Sequence, residues 1–136
     1  GNLYNWYAGD DSRGLCMEGW HVATNDEWTI LTDYLGGNDV AGGKMKEVGH
    51  EYWVYFSDEV TEESTNESGF TALPGGYRNG KDGSFSSSIG SRSYFWSSSE
   101  NNNTSAWARR LYNNNSGILK GDLSKNYGYS FRCVAD

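Results

Sequence analysis

Asparagine, tyrosine and arginine side chains are concentrated in the last third of the chain, and their chemistry is that of molecular recognition. Amides both donate and accept hydrogen bonds, and tyrosine rings offer rigid contact area with a polar end. Arginine can anchor an acidic group on a partner, although an ordinary surface arginine fits the same pattern. The candidate contact residues are Arg109, Tyr112, Asn113, Asn114, Asn115, Asn126, Tyr127 and Tyr129. We therefore expect a recognition surface in the C-terminal half of the chain.

Catalytic and metal-binding chemistry has less support in the sequence. A serine nucleophile needs a base and an orienting group, and no Gly-x-Ser-x-Gly elbow is present. His21 and His50 lack zinc-ligand spacing, and His21 fits a position in or near the core. Adjacent carboxylates at residues 10–11, 58–59 and 62–63 could bind a cation, but such pairs usually form a solvated face. We predict no enzymatic activity, no cofactor and no metal site.

Two cysteines, Cys16 and Cys133, lie near opposite ends of the sequence. An even count in a glycine-rich, aromatic domain favours a disulfide that ties the first segment to the last strand. The alternative from the residues alone is a pair of thiols that are buried in a reducing compartment or never meet.

Length, charge and composition restrict the class of protein. The 136 residues fit a single domain over residues 1–136, and 6 Trp and 10 Tyr supply large rings for its core. The formal net charge of −7 leaves no basic stripe for nucleic acid or an anionic membrane. No apolar run is long enough to insert into a membrane. The first residues read as the interior of a longer polypeptide, so we expect the C-terminal part of a longer protein.

The clearest predicted element is a helix that begins after Thr24. The Thr24–Glu27 spacing is that of a capping box, Trp28, Leu31 and Leu35 form an apolar stripe, and residues 36–37 are a terminating glycine pair. A second helix would run from Asn38 or Asp39 to about Val48, unless the glycines at 42–43 mark a loop.

The remaining patterns predict strands and loops. Strands are expected at residues 3–8, 106–112 and 128–134, with a broken strand at 69–78 and hairpin turns at 79–80 and 82–83. Residues 52–56 fit a strand or a packed loop, and residues 58–68 fit an exposed loop. Helices early and strands late predict an α+β fold with small antiparallel sheets.

Eight ordered segments resemble a known bacterial family. They are residues 3–8, 14–22, 26–28, 41–46, 66–70, 73–78, 95–100 and 130–134. Together they resemble the Fibrobacter succinogenes major paralogous domain, which is similar to the formylglycine-generating-enzyme branch of the C-type lectin fold. The family usually has proline at the positions of Met17 and Ala23. The resemblance implies a C-type-lectin-like domain on an exported bacterial protein, with Cys16 and Cys133 as its disulfide.

A second resemblance concerns the segment from Trp96 to Cys133. It is similar to the variable regions of proteins diversified by diversity-generating retroelements, in which asparagine codons are the main targets of mutation. Such proteins act on a bacterial cell surface or phage particle and bind a protein or glycan. An ordinary asparagine-rich surface loop is the alternative. Trp96 and Trp107 are then either sugar-stacking platforms or scaffold, and a carbohydrate-binding lectin or an adhesive module without a specific ligand remains an alternative function.

Overall fold

The computed structural model describes residues 2–54 and 64–136 of the chain. The helices are α1 (Trp6–Gly9), α2 (Asn25–Tyr34) and α3 (Ala41–Met45). The strands are β1 (Trp20–Val22), β2 (Arg92–Glu100), β3 (Ser105–Tyr112), β4 (Leu119–Ser124) and β5 (Cys133–Ala135). These elements form a small mixed α and β domain with few helices and two small antiparallel sheets, as predicted.

The capping box predicted for α2 is present. The Thr24 side chain accepts from the Glu27 amide, and the Glu27 carboxylate accepts from the Thr24 amide at 2.8 Å. Trp28 and Leu35 are buried in the core. Gly36 and Gly37 follow with φ of 105° and 96°, a conformation that glycine adopts without a steric penalty. Local signals therefore determine this helix.

The predicted strand at residues 3–8 is wrong beyond Tyr4. Tyr4 makes one antiparallel bridge to Tyr129, and the chain then turns into α1. Asn5 is extended, and its side chain accepts from the Ala8 amide at 3.3 Å. This N-cap bond offers the backbone an alternative to strand pairing.

The second helix is shorter than predicted and lacks the expected Asn38 or Asp39 cap. Its N-cap residue is Val40, which makes no side-chain capping bond, and it ends at Met45. Gly42 packs against another part of the chain so closely that an added Cβ would lie 2.0 Å from the Gly117 carbonyl oxygen. The glycines at 42–43 therefore belong to a helix and allow its backbone to approach the backbone of residues 116–117 closely.

The segment predicted as a broken strand at residues 69–78 is more interrupted than expected and contains no regular strand. This segment makes only isolated bridges, such as Lys46 with Ala72 and Gly76 with Ser93. Thr71 and Gly76 have φ of 53° and 64°, and Pro74 has no amide to donate, so a regular ladder is interrupted repeatedly. The following hairpin turn is present, with Arg78 bridged to Phe85.

Two predicted segments fall partly outside the described residues. Trp53 is fully buried in a non-regular segment, so the packed-loop alternative holds up to Val54. Residues 55–56, and the carboxylate pairs predicted at 58–59 and 62–63, lie outside the described residues. Residues 64–68 alternate between half-buried and exposed positions.

The central sheet has the order β2–β3–β4, and both of its faces are covered. One face packs on α2 through Phe95 and Leu111. The other carries Tyr94, Trp96 and Ala108, packed with Tyr129. Because both faces are buried, the alternation along β3 separates two cores rather than a core and a solvent side.

The smaller sheet joins the two ends of the chain. Strand β1 pairs antiparallel with β5, with His21 opposite Val134. The predicted disulfide is present: Cys16 is bonded to Cys133, with their Cα atoms 5.9 Å apart. The strand predicted at 128–134 is regular only in β5; Tyr129 and Ser130 make isolated bridges to Tyr4 and Phe95.

We call the β1–β5 sheet with its disulfide the clasp. His21 lies on β1 in this clasp, between two carboxylates. Its Nδ1 is 2.7 Å from Asp136 Oδ1, and its Nε2 is 2.8 Å from Glu27 Oε1. A neutral imidazole has one N–H, so both contacts are hydrogen bonds only when the ring is protonated. The hydrogen bond to Asp136 first, and then that to Glu27, raises the pKa of His21.

We expect the clasp to weaken as pH rises. Because the folded pKa of His21 lies above the unfolded value of 6.5, its contribution is full below that value and is lost as pH rises through the folded pKa. Thermal unfolding of the wild type and of His21→Gln should therefore differ most below the unfolded value of 6.5 and converge as pH rises above the folded pKa. Asp136→Asn should reduce the difference, and a difference that does not change with pH would contradict the assignment.

Candidate functional site

The structure separates the predicted contact residues into exposed, half-buried and buried groups. Asn114, Asn115 and Asn126 are exposed, and Tyr112 and Tyr127 are half-buried. Arg109, Asn113 and Tyr129 are buried, which is a correction to the expected surface.

Arg109 points toward α2, whereas the sequence analysis expected it to be a contact residue for a partner. Its side chain is 3% exposed, and its guanidinium donates to Asn25 Oδ1, the Asn25 carbonyl and Thr29 Oγ1, each at 3.2 Å. Burial lowers its pKa. Arg109 thus links β3 to α2 and does not belong to the accessible surface.

Asn113 and Tyr129 are buried for different reasons. The Asn113 amide donates to the Val54 carbonyl, and its backbone amide donates to the Ser91 carbonyl at 2.9 Å. Tyr129 stacks on Tyr94 at 4.9 Å and contacts Trp96 at 4.5 Å between ring centroids. Both side chains therefore stabilise the domain beneath the surface residues and are not available for contact with a partner.

The loop with Asn114 and Asn115 follows β3 and is supported from within the domain. The ammonium of Lys46 is buried and donates to the carbonyls of Tyr112 at 3.0 Å and Asn115 at 2.7 Å. The Asn115 side chain closes the turn by accepting from the Gly117 amide at 2.9 Å. Asn114 remains the freer of the two amides, since its Oδ1 accepts only from the neighbouring Asn115 side chain at 3.0 Å.

A shallow pocket on the Trp96 face of the central sheet is a candidate site. Its volume is about 340 Å³. Its lining residues are Tyr77, Tyr94, Arg110, Asp122, Leu123, Ser124, Tyr127 and Tyr129, and we call it the tyrosine pocket. Volumes of this size, lined by aromatic rings with a few polar groups, are typical of small-ligand sites.

The four tyrosines of the pocket form one cluster. Tyr77 lies edge-on to Tyr94 at 5.3 Å and to Tyr129 at 6.4 Å, and Tyr127 lies 6.0 Å from Tyr77 and 6.1 Å from Tyr129. Tilted contacts of this kind are favourable and limit ring rotation. Burial raises the pKa of Tyr129, so its hydroxyl stays protonated and able to donate.

Arg110 is the cation of the tyrosine pocket. It lies on the same face of β3 as Ala106 and Ala108, opposite Tyr94 on β2. Its Nε is buried without a hydrogen-bond partner, and no ion pair joins it to any carboxylate among residues 2–54 and 64–136. Gly121 makes room for the guanidinium, because a Cβ there would lie 3.2 Å from Nε.

The pocket unites only part of the predicted set. Tyr127 and Tyr129 line it, whereas Tyr112 lies beside it under Arg92, whose Cζ is 5.4 Å from the Tyr112 ring centroid. Asn126 lines a separate, polar pocket of about 250 Å³ with Arg78 and Asn79. Asn114 and Asn115 lie outside both linings.

Six of the eight lining residues were absent from the predicted contact residues: Tyr77, Tyr94, Arg110, Asp122, Leu123 and Ser124. Tyr94 lies in an aromatic segment of the sequence. Because consecutive strand residues point to opposite faces, Tyr94 and Phe95 could have been assigned to different faces of the sheet. Tyr77 enters from an irregular loop, and no local pattern indicated its position. Arg110 was considered only as an anchor or an ordinary surface arginine.

Within the described ranges, no cluster of three or more His, Cys, Asp or Glu side chains is placed to hold a metal ion. The predicted pair at 10–11 is partly engaged elsewhere, since Asp11 pairs with Arg13 at 2.6 Å. The Arg13 side chain lowers the pKa of Asp11 to about 2. No helix in the described part of the chain has the length and apolar character needed to cross a membrane.

A disulfide-bonded α and β domain with an aromatic pocket on its sheet is the class that the fold and site define. The disulfide fits a secreted or extracellular domain. The chain belongs to the Fibrobacter succinogenes major domain family, whose pattern it matches over residues 1–135. No curated protein and no solved structure matches it.

Proposed function

We propose that the chain is a non-catalytic recognition domain of an exported surface protein, which binds a protein or glycan through the face that carries the tyrosine pocket. The observation that carries this proposal is the pocket itself, where four tyrosines surround an arginine that has no ion-pair partner among the described residues. Rigid aromatic area next to an unpaired polar group is typical of binding sites.

The rest of the domain supports this role because its cross-links and buried hydrogen bonds fix the strands and loops that carry the proposed binding face. The disulfide and the β1–β5 pairing close the two ends of the chain. Arg109 and Lys46 fix β3 and the loop after it with buried hydrogen bonds. A face held in this way tolerates changes at exposed positions such as Asn114 and Asn126.

We assign the fold to the C-type-lectin-like class as part of the same proposal. Two small antiparallel sheets and the pairing of early and late strands support the assignment. The proposed locations are a bacterial cell surface or a phage particle. Diversification by a retroelement would act on exposed amides such as Asn114, Asn115 and Asn126. A nearby asparagine-rich template repeat and reverse transcriptase gene are the observations that would support it.

The binding test compares two tyrosines of different location. The domain is screened on arrays of glycans and of extracellular proteins, with and without a calcium chelator. For any ligand found, Tyr127→Ala should weaken binding at least tenfold, because central aromatic contacts dominate binding energy. Tyr34→Ala is the matched control, since Tyr34 is 86% exposed on α2 and distant in the chain from the pocket residues.

Three outcomes would count against the proposal. Absence of binding on both arrays would favour an adhesive or structural module. Equal losses from Tyr127→Ala and Tyr34→Ala would move the binding face away from the pocket. Loss of binding with the chelator alone would favour a calcium-dependent lectin over the metal-free pocket.

A further inference from the structure

Among the described residues no ion pair neutralises the positive charge of Arg110, and the Asp122 carboxylate, which also lines the pocket, accepts instead from Asn101 Nδ2 at 2.9 Å. The formal net charge is −7, so carboxylates are abundant, yet none pairs with this guanidinium among the described residues. By contrast, Lys125 is paired with Glu100 at 2.6 Å, and Arg13 is paired with Asp11. A partly buried guanidinium without an anion is unfavourable, so an anionic ligand would gain more here than at an exposed arginine.

The position of Arg110 is set by small neighbours. Gly121 on β4 lies under the guanidinium, because a Cβ there would lie 3.2 Å from Nε and 3.4 Å from Cζ. The Nε is therefore covered, while the side chain as a whole is half-buried and lines the pocket. The outer nitrogens of the guanidinium are the atoms left for a ligand.

The shape of the site favours a ring over an extended chain. The pocket is concave, measures about 340 Å³ and lies on the face of the sheet. Tyr77 and Tyr127 are tilted 42° to each other with centroids 6.0 Å apart, so their rings form two walls of a shallow corner. The apolar face of a sugar ring packs on such aromatic surfaces, and tyrosine hydroxyls exchange hydrogen bonds with sugar hydroxyls.

We propose that the tyrosine pocket binds an acidic sugar, with its carboxylate on the Arg110 guanidinium and its ring against Tyr77 and Tyr127. A planar guanidinium matches the two oxygens of a carboxylate. This inference rests on the proposed function and names its ligand class. The binding requires no metal and no covalent step.

The test is a calorimetric titration of the wild-type domain with two simple probes, methyl glucuronide and methyl glucoside. They differ by one carboxylate in place of a hydroxymethyl group. The glucuronide should bind about tenfold more tightly, which corresponds to one charge-assisted hydrogen-bonded contact. Arg110→Gln should remove this preference and leave the weak affinity for the glucoside, while Arg110→Lys should keep part of it.

The controls separate this inference from the proposed function. Arg13→Gln removes an equal charge from an exposed arginine and should leave both affinities unchanged, and the unfolding temperature of each variant reports whether it is folded. Equal affinity of the wild type for both probes would overturn the inference. Array ligands that are neutral, or an acetylated glutamate amide that binds as well as the glucuronide, would also overturn it. If such ligands still depend on Tyr127, the recognition function stands without the acidic sugar.

Discussion

Removal of the Cys16–Cys133 disulfide is expected to destabilise the domain by about 4–5 kcal/mol, the largest effect of any change considered. The two cysteines are separated by 117 residues, and in the chain-entropy model a cross-link over such a loop restricts the unfolded chain by about that amount. Domains of this size have a total stability of about 5–15 kcal/mol. The double variant Cys16→Ala, Cys133→Ala should therefore be marginally folded.

The structural consequence should appear first in the smaller sheet. Strands β1 and β5 have three residues each, and an isolated two-stranded pair is marginal in water. The disulfide lies directly at the start of β5, while Ala23 donates to the Arg132 carbonyl at 3.0 Å just beyond β1. Hydrogen exchange of the Ala23 and Val134 amides should accelerate before exchange in β3.

Urea unfolding with and without reductant measures the effect. The reduced wild type should match the double variant, and reductant should leave the double variant unchanged. A loss below about 1 kcal/mol would show that the cross-link does not restrict the unfolded chain as this model requires. The entropic origin itself is tested by comparing unfolding slopes, since a more expanded unfolded state raises the slope.

The elements that sequence could predict are those set by neighbouring residues. Helix α2 has its cap, its apolar stripe and its glycine stop within residues 24–37, so no distant contact was needed to predict it. The strand predicted at 3–8 failed because one side-chain bond from Asn5 favoured a helical turn over pairing. Asparagine is a preferred N-cap residue, but the alternation of large and small residues over 3–8 favoured a strand in the sequence analysis.

The candidate site could be predicted only in part, because burial on both faces of a sheet is a tertiary property. Alternation along β3 puts Arg109 and Arg110 on opposite faces of the sheet, yet the sequence does not show which of the two faces α2 covers. Asn113 reads as a surface amide like Asn114 until Val54 is brought beside it. Tyr77 enters the pocket from a segment without a regular pattern, so its role depends on the folded chain alone.

Trp96→Ala is expected to destabilise the domain by about 3–5 kcal/mol, because the indole is fully buried and no neighbour can fill its volume. Trp96 lies opposite Ala108 on β3 and belongs to the same buried cluster as Ala106 and Ala108. Its Nε1 donates to the Tyr4 carbonyl at 3.2 Å, and its ring contacts Tyr129. Trp96 is therefore scaffold beneath the tyrosine pocket, and not a sugar platform.

The matched control for this change is Trp20→Ala. Trp20 is 45% exposed on β1, so the same truncation there should cost about 1 kcal/mol. The loss of stability caused by Trp96→Phe should lie between those of the two alanine variants, since phenylalanine retains an aromatic ring but loses the hydrogen bond to the Tyr4 carbonyl. Because Tyr129 rests on Trp96, loss of the indole should also reduce ligand binding at temperatures where the variant is still folded. Equal unfolding midpoints for the two alanine variants would contradict the scaffold role, since the pocket walls would then have to be held by the remaining tyrosine contacts alone.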